Sequence, residues 1–177
     1  MKIFLIGYRC TGKTTVGRFL ARHINFDFID MDLSIEQKTR LTVLQIVEKY
    51  GWDKFRLLEK EALLNTQHVE NAVIATGGGV VTVPDNLQFM KNNGFCIWLD
   101  ANIKTILKRL KSDAATALLR PPLTDNNLIE ETKKILNQRN PLYKKIANKR
   151  IDTTILTPEE IVGIIDRRLE HDRQQHR

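Results

Sequence analysis

The sequence predicts a three-layer α/β domain on a mostly parallel sheet, and three observations carry that prediction. Short apolar runs alternate with helical hydrophobic patterns, as strand–helix–strand units require. The first run, "IFLI", leads directly into "GYRCTGKTT" (7–15), a turn bracketed by two glycines that opens onto a helical stretch. The chain has 177 residues, most economically read as one domain spanning 1–177 with a sizeable core.

Each element follows from local chemistry. Residues 2–6 read as a buried strand. A helix runs from Thr14 to about His23, with Val16, Phe19, Leu20 and Ile24 on one apolar stripe. "FDFID" (26–30) is a second strand. "TVLQIVEKYG" carries Thr42 and Gln45 at capping-box spacing and stops at Gly51, so it is a self-contained helix, followed by another over 52–66. "AVIAT" (72–76) and "FCIWLD" (95–100) are the third and fourth strands, and Ile103, Ile106, Leu107 and Leu110 mark an amphipathic helix. "IDTTI" (151–155) is a fifth strand. Thr157-Pro158-Glu159-Glu160 starts the last helix, with Thr as cap, Pro in the first turn and Glu160 reciprocal.

Two segments break the alternation. Residues 32–66, or about 31–66 with the junction, insert helices between the second and third strands. Residues 111–125, "KSDAATALLRPPLTD", show little periodicity, which in a compact domain points to a functional lid.

Composition narrows the class. No apolar stretch approaches membrane-spanning length, and the opening run is too short for a signal peptide, so the chain is read as cytoplasmic with no membrane partner; a monomer is the separate expectation for its assembly. Two cysteines, Cys10 and Cys96, make no disulfide framework and lack metal spacing. The net charge of +7 admits nucleic acid or small anions. The basic residues are spread out, with no helix-turn-helix or aromatic RNA-binding signature, which argues against nucleic acid. The densest basic group, "RRLEHDRQQHR", reads as a solvated helix end.

The quoted turn is a phosphate cradle. Gly7 and Gly12 let the backbone bend tightly. The amides of Tyr8, Arg9, Cys10, Thr11 and their neighbours then point inward, and the helix beginning near Thr14 and Thr15 adds its positive end. Lys13 reaches the β and γ phosphates of a nucleoside triphosphate, and the Thr14 hydroxyl is placed to ligate Mg²⁺. Such a loop names the donor and leaves the acceptor open.

Acceptor residues in parallel sheets lie just after the strands. After the second strand come Asp30 and Asp32. On a strand they share a face; at a strand–helix junction they diverge, one toward Mg²⁺ and one toward the acceptor, unless Asp32 simply caps the next helix. After the third come Gly77, Gly78 and Gly79, bare backbone suited either to a ligand ring or to a flexible turn. Arg56 sits in the insertion, Arg120 in the lid, and Arg139 opens "RNPLY", where Pro141 predicts a helix start.

Taken in order, GYRCTGKTT, the Asp-x-Asp pair, "FR", "ATGGG", "RPPL" and "RNPLY" resemble the shikimate kinase family over essentially the whole chain. The resemblance implies a five-stranded parallel sheet in a P-loop kinase fold, with a helical substrate-binding insertion and a lid. It implies transfer of the γ-phosphoryl of ATP to the 3-hydroxyl of shikimate, on the way to chorismate and the aromatic amino acids, with Mg²⁺ as cofactor. It places Asp32 on the shikimate hydroxyls, where it orients or deprotonates the acceptor. Arg56 and Arg139 hold the carboxylate, with Gly77, Gly78 and Gly79 lining the other side. Arg120 is the lid arginine that closes on the phosphates, Asp30 assists Mg²⁺ with Thr14, and Arg109 lies against adenine. Lys13, Asp32 and Arg120 are thus the residues of the chemistry.

Two features depart from the family pattern: Cys10 replaces a frequent glycine, and the lid is longer and reads Arg-Pro-Pro-Leu. Cys10 is either a reactive thiol favoured by the cradle or a small side chain filling space. A gluconate or nucleotide kinase on the same scaffold is the competing enzyme class, and a nucleotide kinase has no need of the Arg56 and Arg139 clamp.

Overall fold

The structure is a computed structural model describing residues 1–112 and 128–175, with side chains through His171. Five strands, β1 (Lys2–Ile6), β2 (Asp27–Asp30), β3 (Ala72–Ala75), β4 (Phe95–Asp100) and β5 (Lys149–Asp152), form one sheet in the order β2-β3-β1-β4-β5. Every pairing is parallel. The helices are α1 (Lys13–His23), α2 (Met31–Thr39), α3 (Val43–Asn65), α4 (Pro84–Asn93), α5 (Ile103–Ser112), α6 (Leu128–Ile146) and α7 (Pro158–Gln175).

The strand period of two sorts the core into layers. Ile3, Leu5, Val73, Ile97 and Leu99 pack with Val16 and Leu20 of α1 and Ile161, Val162, Ile165 and Leu169 of α7. Their neighbours Phe4, Ile6, Ile74, Cys96 and Trp98 pack on the opposite face with Met31, Leu63, Met90, Tyr143 and Ile146. The chain leaves β1 toward the first face and β3 toward the second. The carboxyl ends of these adjacent strands therefore flank a crevice where the topology switches, the place where open α/β sheets bind ligands.

Local signals act where expected. Thr42 and Gln45 form a reciprocal capping box at 2.9 and 3.2 Å, and Thr157 and Glu160 another at 2.8 and 3.3 Å. Gly51 (φ 80°, ψ 170°) breaks α3 into two helical segments.

The larger differences from expectation lie at β5, Pro141 and α4. β5 spans Lys149–Asp152 and not 151–155, because its partner β4 ends at Asp100, opposite Asp152. Beyond it Thr154 N donates to Asp152 Oδ1 at 2.8 Å, and Ile155 is 88% exposed. Pro141 lies inside α6 instead of starting a helix. Proline removes one backbone donor, but buried Ile135, Leu136, Tyr143 and Ile146 on both sides carry the helix through. α4 is an addition to the sequence reading; it begins at Pro84 without a side-chain cap. The lid expectation falls almost wholly on 113–127, outside the described residues.

Candidate active site

The phosphate loop joins β1 to α1. Gly7 has φ 141°, and a Cβ there would collide with the Leu99 carbonyl oxygen; Gly12 caps α1 at φ 97°. Both glycines are therefore required by backbone shape. Cys10 adopts the left-handed region (φ 59°) despite its side chain. Thr11 Oγ1 donates to the Tyr8 carbonyl at 2.8 Å, and Lys13 Nζ donates to the Gly7 and Tyr8 carbonyls at 2.9 and 2.8 Å. The lysine is folded across the loop it follows, 8% exposed.

Asp30 and Asp32 diverge, because the strand ends at the first and the helix contains the second. Asp30 Oδ2 accepts from Thr14 Oγ1 at 2.7 Å. Its Oδ1 accepts from Leu33 N at 3.2 Å, so Asp30, not Asp32, caps α2. Asp32 is left in the first turn, facing the crevice.

That crevice is a cleft of about 450 Å³ including its open mouth. Asp32, Arg56, Gly77, Gly78, Gly79 and Arg139, the acceptor residues expected from sequence, all line it. Tyr8 and Arg9, grouped in sequence with the nucleotide side, line it as well. The charged residues of the lining are Arg9, Arg56, Arg139, Asp32 and Glu59, with Arg9 balanced by Glu131.

The wall is built tightly. Arg139 Nη1 donates to the Gly78 carbonyl at 3.1 Å, and the Tyr143 hydroxyl donates to the same oxygen. Burial raises the Tyr143 hydroxyl well above its ordinary pKa, keeping it a donor. Arg56 pairs with Glu59 one helical turn on, and its guanidinium lies 5.4 Å from the Trp52 ring centroid and 5.1 Å from that of Phe55. A Cβ on Gly79 would collide with the Arg56 guanidinium, and one on Gly77 with Glu59 Oε1. Bare backbone at these positions makes room for this ion pair.

Glu59, Trp52 and Phe55 are site residues that sequence reading missed. The signal was present: 52, 55, 56 and 59 follow helical spacing, so a charged pair occupies the inward stripe of α3.

A second cleft lies on the other side of the loop, lined by Cys10, Gly12, Thr15, Arg109, Leu156 and Pro158 among others. Arg109 donates to the Cys10 carbonyl at 3.3 Å and to the Thr153 carbonyl at 2.6 Å, pinning the loop to the segment after β5. Arg120 lies outside the described residues.

With this geometry in place, comparison with known proteins gives one answer. The shikimate kinase family model matches residues 9–170. The chain is 42% identical over 160 residues to shikimate kinase 2 of Yersinia enterocolitica, covering 90% of each chain. The structure superimposes on a shikimate kinase from Acinetobacter baumannii in complex with shikimate, with TM-score 0.90 and 33% identity, over 97% of this chain and 93% of that one. Shikimate kinase from Aquifex aeolicus gives TM-score 0.81 at 34% identity, over 98% and 99%. The chain belongs to the shikimate kinase family.

Proposed function

We infer that this chain is a shikimate kinase, a single catalytic domain that transfers the γ-phosphoryl group of ATP to the 3-hydroxyl of shikimate in aromatic amino-acid biosynthesis. One observation carries the reading beyond family membership. Asp32, Arg56, Arg139 and the triple glycine, far apart in sequence, converge in a single cleft bordering the phosphate loop.

In this reading the donor occupies the cleft beside Cys10 and Arg109. The loop amides and the α1 N-terminus hold its phosphates, and the apolar Leu156, Pro158 and Ile161 with Arg109 receive the base. Lys13 exchanges its carbonyl partners for phosphate oxygens and stabilises the charge that develops during transfer. Arg56 and Arg139 grip the shikimate carboxylate by two-point hydrogen bonding that a lysine could not reproduce. Asp32, at the start of α2, takes the hydroxyl proton or fixes its direction. Arg120 is the lid arginine of the same scheme.

Thr14 Oγ1 and Asp30 Oδ2, hard oxygen donors 2.7 Å apart, suit Mg²⁺, which needs few protein ligands when phosphates and waters supply the rest. When bound, the ion neutralises charge on the β and γ phosphates. No helix among the described residues is long and apolar enough to cross a membrane, and the reading takes the enzyme as a cytoplasmic monomer with ATP and shikimate as its partners.

Turnover of shikimate, gluconate and nucleoside monophosphates in an ADP-coupled assay tests the reading. Activity confined to shikimate is expected; turnover of either alternative without shikimate would reject it.

A further inference from the structure

Building on the shikimate kinase reading, we propose that Arg9 binds the phosphoryl group once it sits on the acceptor, making it the phosphate contact of the product.

Arg9 belongs to both sites. It lies in the donor's phosphate loop and is also among the residues lining the acceptor cleft. The two sites share a wall here: a Cβ on Gly78 would stand 3.4 Å from the Arg9 amide nitrogen. Arg9 is thus the arginine of the donor's own loop that borders the acceptor cleft.

Its setting is that of an aimed group. Nη2 donates to Glu131 Oε1 at 2.8 Å, with the two side chains only 12% and 3% exposed, and Cζ lies 5.5 Å from the Tyr8 ring centroid. A buried arginine–glutamate pair adds little net stability, and its use is orientation. Glu131, in the first turn of α6, fixes one prong of the fork. Among the described residues Nε is buried without a hydrogen-bond partner. Such orphans are rare and costly. Tyr8 Oη and Glu59 Oε1, in the same cleft, are buried without partners too. Tyr8, Arg9 and Glu59 all border the cleft, so unpartnered polar atoms cluster beside it.

Charge decides which part of the ligand Arg9 meets. Arg139 and Arg56 stand at the glycine wall, bonded to or packed against Gly78 and Gly79, and are taken by the carboxylate. Shikimate brings one negative charge. Shikimate 3-phosphate brings a further dianionic group, formed next to the phosphate loop where Arg9 originates. Arginine is suited to that planar, multi-point contact.

Affinities of shikimate and shikimate 3-phosphate for the wild type, R9M and R9K, measured by titration calorimetry, test the proposal. R9M should weaken shikimate 3-phosphate by about tenfold or more, the scale of a charged hydrogen bond, with shikimate changed by less than about threefold. R9K should restore part of the loss by keeping the charge. Equal weakening of both ligands, or no change in either, would overturn the proposal. If R9M fails to fold, R9K decides: about threefold selective loss of product affinity supports it, and an unselective or absent effect rejects it. A wild type that binds no shikimate would instead defeat the kinase reading itself, and this inference with it.

Discussion

Thr14 and Asp30 are joined by a 2.7 Å hydrogen bond that ties the first turn of α1 to the end of β2. Because the other Asp30 oxygen caps α2, one carboxylate fixes the acceptor-side helix and faces the donor-side hydroxyl at once. Asn caps helices about as well as Asp but carries no charge. Asp30→Asn should therefore leave the melting temperature within a few degrees while raising the Mg²⁺ concentration for half-maximal rate by about tenfold. An unchanged Mg²⁺ requirement removes Asp30 from the metal.

The Glu59 carboxyl gives the cleft a pH signature. Burial raises its pKa above 4.5, only partly offset by the charge and hydrogen bond of Arg56, and Asp32 adds to the rise. For an acid raised on folding, the stabilising contribution is complete below the unfolded value and disappears as pH climbs through the folded one. The melting temperature of the wild type relative to Glu59→Gln should consequently fall as pH rises from 4.5. A difference that stays flat or grows with pH contradicts this.

Gly79 keeps space for Arg56. Its φ of −99° suits any residue, so Gly79→Ala strains no backbone; the new Cβ displaces the guanidinium instead. Shikimate KM should rise by about tenfold, ATP KM should stay within about twofold, and folding should be retained. A change restricted to ATP would show that Arg56 does not serve the acceptor.

The two thiols should separate cleanly. Cys96 is fully buried with its pKa pushed up to about 12, so it is unreactive while the protein is folded. Cys10 is half-buried in the cradle. A thiol reagent at neutral pH should modify one cysteine in the native protein and two in urea, and ATP should slow the native reaction. If ATP offers no protection, Cys10 lies away from the nucleotide.

Much of this was legible because it depends on local rules. The glycine-bracketed turn, the Thr42–Gln45 box and the Gly51 break each follow from a few neighbouring residues, and the structure reproduces them. Pro141 misled because its local preference was overruled by burial on both sides of it in α6. The end of β5 was misjudged because a partner strand sets it. Glu59 escaped notice because a helical glutamate ordinarily faces solvent; helical spacing sets it beside Arg56, but only tertiary packing buries it. The meeting of Asp32, Arg56 and Arg139 was implied by family resemblance, since spacing alone does not bring residues from α2, α3 and α6 together.

The carboxylate grip is the centre of the account, and steady-state kinetics of Arg139→Ala address it most directly. Removing one charged two-point contact should raise the shikimate KM by about tenfold or more, with ATP KM within about twofold. A defect confined to ATP, with shikimate saturating as in the wild type, would contradict it.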